Sequence, residues 1–230
     1  MARYYVVCLI DSSSFPGRKF GELELEALSD TGLSLLICAA PAKERMSSPE
    51  FAALHACFLD DLMGDYTVLP VRFGTILESK EAGLEALARQ GAEFSRLMAR
   101  LAGKVEMGLK ALWREEEQDV SPGSALSGRE YLLARLEQER VRQRRLARAK
   151  SLGEEINSCF PWVTEKKTRY LVTQKLFYNC AFLIDRSELE RFWQQVKEVK
   201  NLFPGLSFLA SGPWPPCTFA GPEKDLRSGV

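Results

Sequence analysis

The chain has 230 residues, 46% of them hydrophobic, which is enough apolar material for one large core or two small ones. Lys plus Arg and Asp plus Glu balance at 31 each, so the formal net charge is zero. That balance argues neither for nucleic acid nor for an anionic membrane, and no apolar run approaches the ~18 residues a bilayer span requires.

Arg3 to Ile10 reads as a buried strand rich in Tyr and Val, broken by Asp11-Ser12-Ser13-Ser14. The chain enters this strand without the cleavage region of a signal peptide, so a soluble, intracellular protein without a targeting segment is expected. Phe15 to Ser29 places Phe20, Leu23, Ala27 and Leu28 at a loosely helical spacing, disturbed at its start by Pro16-Gly17. Leu33 to Ala40 is a second apolar strand, stopped by Pro41. Ser48-Pro49-Glu50 is a helix start: a capping hydroxyl, a proline at the first helical position and an acid in the first turn.

Gly64-Asp65 turns the chain into Tyr66 to Thr75, where Pro70 removes a ladder donor and marks an edge strand or a break. Ser79 opens a long amphipathic helix through Leu84, Leu87, Phe94, Leu97, Met98 and Leu101. Val105, Met107, Leu109, Ala111 and Trp113 then alternate with Lys104, Glu106 and Lys110, the pattern of a half-buried strand. Residues 114 to 126 read as a loop. A helix from Ser127 to about Cys159 follows, its apolar stripe (Leu132, Leu133, Leu136) thinning out over Val141 to Arg145.

Strands are expected at Lys167 to Val172 and Leu176 to Ile184, then a helix carrying Leu189, Phe192, Trp193, Val196 and Val199, then a strand from Leu206 to Ala210. Ser211-Gly212-Pro213-Trp214-Pro215-Pro216-Cys217-Thr218-Phe219 has three prolines and a tryptophan in four residues. That composition forces a rigid, extended course and excludes a helix or an interior strand. A rigid segment bearing one indole loses little entropy when it docks, either on its own fold or on a partner.

The predicted fold is α/β (α+β) in two domains. Residues 1–102 alternate strand and helix as a compact α/β unit. Residues 103–212 run β-α-β-β-α-β, the ferredoxin-like order, and 213–230 form a Pro/Trp-containing tail. A weak internal echo pairs Asp11…Gly32 with Asp185…Gly205, separations of 21 and 20 residues. It reads either as one strand-helix-strand module used twice or as convergence.

Chemistry is sparse. His55 is the only histidine, which excludes a histidine-based triad or a multi-histidine metal site. Its mid-helix place between Leu54 and Phe58 suits packing or surface better than catalysis. Asp60-Asp61 and Glu115-Glu116-Glu117 read as solvated runs. The six cysteines form no Cys-x-x-Cys pair, and most sit in apolar runs as buried reduced thiols. No phosphate loop or dinucleotide fingerprint is present, so neither a cofactor, a metal nor an enzymatic activity is expected. The basic run Arg140 to Lys150 is the one local charge anomaly. It suits a solvated face, a docking surface for an acidic protein, or, as the alternative function, a ferredoxin-like nucleic-acid or regulatory binding module.

Four phrases in series carry a resemblance. They are Leu69-Pro70-Val71-Arg72-Phe73-Gly74-Thr75, Gly103-Lys104-Val105-Glu106-Met107-Gly108-Leu109-Lys110, Ala181-Phe182-Leu183-Ile184-Asp185-Arg186 and Ser211-Gly212-Pro213-Trp214-Pro215-Pro216. Together they resemble the GvpL/GvpF family of gas vesicle proteins. Cys217 stands where that family usually has an aromatic, and Met107 where tryptophan is common; both are packing changes. The resemblance implies a two-domain α/β protein with a non-enzymatic, accessory or minor structural role in gas vesicle assembly. It further implies a location at the gas vesicle and in the cytoplasm, and binding to the small hydrophobic vesicle shell protein and to other vesicle proteins. The expected partner-binding residues are Arg72 and Phe73 on the edge strand with Pro213, Trp214, Pro215, Pro216 and Phe219 on the tail. No nucleic-acid or membrane partner is expected.

Overall fold

A computed structural model describes residues 3–114, 128–171, 173 and 175–221. The chain divides into two units: Met1–Glu106 together with Trp214–Val230, and Met107–Pro213.

The first unit is built on a five-stranded sheet. Its strands are β1 (Tyr4–Ile10), β4 (Glu26–Asp30), β5 (Leu33–Ala39), β6 (Val68–Pro70) and β7 (Ile76–Leu77), and β2 (Lys19–Phe20) and β3 (Leu23–Glu24) form a separate small hairpin. The sheet order is β4-β5-β1-β6, with β7 also on β1, and the pairings of β1 with β5, β6 and β7 are antiparallel. β1 and β5 are apolar on both faces because helices lie on both sides. A short helix, α1 (Lys43–Met46), precedes α2 (Pro49–Leu62). The Ser48 hydroxyl accepts from the Phe51 N–H at the start of α2, so the expected cap is present. α2 seals Phe51, Leu59 and Leu62 onto a core of Tyr5, Val7, Ile10, Phe20, Leu36 and Val68. α3 (Lys80–Leu101), capped by Ser79, lies close to the other face: a Cβ on Gly83 would stand 2.8 Å from Leu28 Cδ1.

The helix expected over Phe15 to Ser29 is absent. The segment is instead the β2–β3 hairpin and β4, which pairs antiparallel with β5 through a turn with Thr31 and Gly32 at φ 46° and 87°. The first hundred residues therefore do not alternate strand and helix, and the echo between Asp11…Gly32 and Asp185…Gly205 is not a repeated module, since only the second pair brackets a helix. The local pattern was ambiguous. Leu25 is buried between exposed Glu24 and Glu26, Leu28 is buried three residues further on, and four apolar residues fit both periods over so short a run.

The second unit runs β8 (Lys104–Trp113, entering from the first unit), α4 (Gly128–Ser158), β9 (Glu165–Tyr170), β10 (Leu176–Asp185), a 3-10 turn at Arg186–Glu188, α5 (Leu189–Leu202) and β11 (Leu206–Trp214). The sheet order is β11-β8-β10-β9, so β11 is an edge strand that tolerates Pro213 at its end. Met107, Leu109 and Ala111 alternate inward on β8 as expected. Phe160, Phe182 and Phe192 cluster with ring centroids 4.8–5.5 Å apart, and α5 adds Val196 and Val199. α4 packs only through its last third, burying Ala149, Gly153 and Ile156. There the Asn157 side chain accepts from the Tyr178 hydroxyl at 2.8 Å and donates to Thr168 at 3.2 Å.

All six cysteines are free; Cys8, Cys38 and Cys180 are buried, whereas Cys57 and Cys217 are exposed, against the expectation that most are buried. Among the described residues no helix is long and apolar enough to cross a membrane.

Candidate partner-binding site

Arg72 and Phe73 owe their position to an interruption of the sheet edge. β6 and β7 occupy successive parts of one side of β1, opposite Cys8–Ile10 and Tyr4–Tyr5 respectively. Between them residues 71–75 leave the ladder. Gly74 supplies the left-handed turn at φ 85°, and Thr75 closes it by donating to the Arg72 carbonyl from both its N–H and its hydroxyl. The Thr75 carbonyl then accepts from Val6 N–H at 3.0 Å and restores the edge. The strand thus lies at the edge and breaks at Pro70, as the proline led one to expect, and Phe73 sits on the turn.

Phe73 is 42% exposed, yet three rings of the first unit pack against it. Their centroids lie 5.2 Å (His55), 6.0 Å (Phe51) and 6.3 Å (Tyr5) away. A polar relay fixes two of those rings, Tyr5 and His55. The Tyr5 hydroxyl lies 2.8 Å from His55 Nδ1 and also receives a hydrogen bond from the Gly74 backbone. Burial pushes the Tyr5 phenol up, so it stays protonated. Burial likewise pushes the His55 imidazole down to about 4, so at neutral pH it is uncharged and its Nδ1 accepts from Tyr5. His55 is therefore a packing histidine that holds the turn.

Beside Phe73 lies a groove of about 760 Å³ lined by Ala40, Pro41, Met46, Phe73 and Ile76, with Arg3 and Lys43 also in its wall. Sequence reasoning missed every one of these except Phe73. The available signal was Gly74 so close after Pro70, which breaks a strand twice.

The Pro/Trp segment divides. Trp214 is 47% exposed and Pro213 is exposed, whereas Pro215, Pro216 and Phe219 are buried. Glu106 clamps the segment, accepting from Thr218 N–H at 2.8 Å and from the Thr218 hydroxyl at 2.6 Å. Arg100, near the end of α3, donates to the Phe219 carbonyl. Phe73 rests on α2 residues and Phe219 is tied to the end of α3, so different helices hold the two groups of site residues. The basic run from Arg140 to Lys150 lies on α4 and is largely exposed; Arg140 and Arg144 pair with Glu137 and Arg142 with Glu139.

Phe73 is thus an exposed aromatic clamped at the edge of an antiparallel sheet. A family model described as "Gas vesicle synthesis protein GvpL/GvpF" matches residues 3–221, and the chain belongs to that family. It is 29% identical over 208 residues to gas vesicle protein L of Streptomyces sp. (strain CB03234), covering 82% of this chain and 77% of that protein. It is 25% identical over 191 residues to gas vesicle protein F of Microcystis aeruginosa (strain PCC 7806), covering 75% and 77%. The fold matches the crystal structure of GvpF from Anabaena sp. PCC7120, with a TM-score of 0.76 at 21% identity over 97% of this chain and 100% of that one. It also matches GvpF from Microcystis aeruginosa, with a TM-score of 0.72 at 21% identity over 96% and 100%. The family membership assigns the chain to gas vesicle assembly.

Proposed function

We propose that this protein is a non-enzymatic, cytoplasmic accessory factor that binds the small hydrophobic gas vesicle shell protein and works where vesicles are built. The second unit is read as a ferredoxin-like domain, in keeping with its element order. The observation that carries the binding role is Phe73: half in solvent, held by Phe51, His55 and Tyr5, and opening onto an apolar groove. An aromatic held in place by its neighbours loses little entropy on contact, which is what makes a good interface anchor. Arg72, Pro213 and Trp214 belong to the same reading as exposed members. Pro215, Pro216 and Phe219 are the buried residues that hold Trp214 in place. A shell subunit with an apolar face needs such cover before it enters the wall, because exposed apolar surface aggregates.

Co-expression with a tagged shell protein tests the reading. Capture by the wild type should resist high salt, and Phe73→Ser should reduce it at least tenfold. Leu202→Ser, which removes a more accessible apolar side chain (65% exposed) on α5, should not. Undiminished capture by a folded Phe73→Ser variant overturns the assignment.

A further inference from the structure

A second surface has no place in that reading. None of residues 128–148 of α4 is buried, although the helix continues to Ser158. At 1.5 Å per residue, the twenty residues before Arg148 make a rod about 30 Å long. Arg148 marks where the helix reaches its own sheet, its guanidinium 4.6 Å from the Trp113 ring centroid. On this rod Leu132, Leu133 and Leu136 fall within little more than one turn and are 63%, 58% and 58% exposed. Over these twenty residues six arginines stand against three glutamates, a net charge of +3 in a chain whose total is zero.

We infer that the first twenty residues of α4 are a docking surface for an acidic amphipathic helix of another protein. The three leucines supply an apolar seam of the width one partner helix covers. The excess positive charge beside them selects a partner of opposite sign. A nucleic acid offers the three leucines nothing to pack against. A second copy would bring two seams of charge +3 together. This surface is independent of the Phe73 groove, so either assignment stands or falls alone.

The probe is a synthetic four-heptad peptide with leucine at the a and d positions and glutamate at e and g, titrated into the full chain and followed by fluorescence anisotropy. A matched peptide with lysine at e and g is the control. The expected result is saturable binding of the acidic peptide only, weakening at least fivefold between 50 and 300 mM salt. Leu132→Ser/Leu136→Ser should cut the affinity at least tenfold, and Arg144→Glu/Arg145→Glu should also weaken it. Because Leu132 and Leu136 are solvent-facing, the leucine double variant should keep the wild-type circular dichroism and melting curve. Equal binding of the two peptides, no binding, or binding unchanged by the leucine variant overturns the inference. So does tighter retention of poly-uridylate that the leucine variant keeps, or a self-association that the leucine variant abolishes and the acidic peptide fails to compete with.

Discussion

His55 offers a test of how the Phe73 turn is held, because it is the only histidine in the chain and a label on its Cε1 gives one resonance. The side chain is 6% exposed, its Nδ1 accepts from Tyr5, and burial lowers its pKa from 6.5 to about 4. As pH falls, the unfolded chain takes up the proton first. The neutral, buried histidine therefore contributes its full stabilisation above pH 6.5, and this is lost progressively as pH falls toward 4. A shift of that size corresponds to about 3 kcal/mol across the whole window, of which about 2 kcal/mol is gone at pH 5. The same labelled carbon measures both quantities: its shift against pH gives the folded pKa, and its folded and unfolded peaks in urea give the stability of the first unit. His55→Asn, which retains an acceptor for Tyr5 without titrating, supplies the reference through a nearby label. The stability gap between wild type and variant should narrow by about 2 kcal/mol between pH 7.5 and pH 5. A folded pKa between 6 and 7, or a gap that stays constant with pH, refutes the argument and with it the idea that a neutral His55 positions the turn.

Three further expectations concern packing. Phe219 is 1% exposed, so Phe219→Ala should cost about 3–5 kcal/mol in a denaturant melt; a loss below about 1 kcal/mol means the segment is only laid on the surface. Gly153→Ala should destabilise by about 1–3 kcal/mol despite the better helix former, because its Cβ would stand 2.3 Å from Tyr170 Cε1 and 2.9 Å from Tyr178 Cδ2. A raised melting temperature contradicts that packing. Glu106→Ala removes both acceptors from Thr218 and should speed amide exchange at Thr218 at least tenfold while leaving exchange in β1 unchanged; equal protection in the variant means the clamp holds nothing.

What the sequence disclosed follows from how locally each feature is encoded. Ser48-Pro49-Glu50 and Ser79 mark helix starts by side-chain chemistry within four residues, and both caps form. The β8 alternation and the order of elements after it need only period and turns. Phe15 to Ser29 failed because Phe20, Leu23, Ala27 and Leu28 satisfy a helical period loosely. The turn at Asp30-Thr31-Gly32, which makes β4 a hairpin partner of β5, outweighs that pattern once β5 is present as a template. The groove beside Phe73 was illegible for a different reason. Its walls come from Arg3, from residues 40–46 and from Ile76, which only strand pairing brings together. Trp214 was legible as rigid, but which side chains of its segment face inward depends on the Glu106 and Arg100 contacts, which lie more than a hundred residues away.

The Phe73 groove and the exposed part of α4 should answer differently to ionic strength, and that difference separates their occupants without knowing either one in advance. Around Phe73 the contact surface is mainly apolar, and apolar burial gains rather than loses strength as salt rises. Along the exposed part of α4 the three leucines are flanked by a net charge of +3 at the surface, where screening acts within about 10 Å at 0.1 M salt. A shell subunit held at the groove should stay bound through a high-salt wash, whereas an acidic helix on α4 should leave in the same wash. The two losses should also segregate genetically, one following Phe73→Ser and the other Leu132→Ser/Leu136→Ser. A single partner lost to both variants with one common salt dependence would mean that the two surfaces serve one interface, and the separation argued from their chemistry would be wrong.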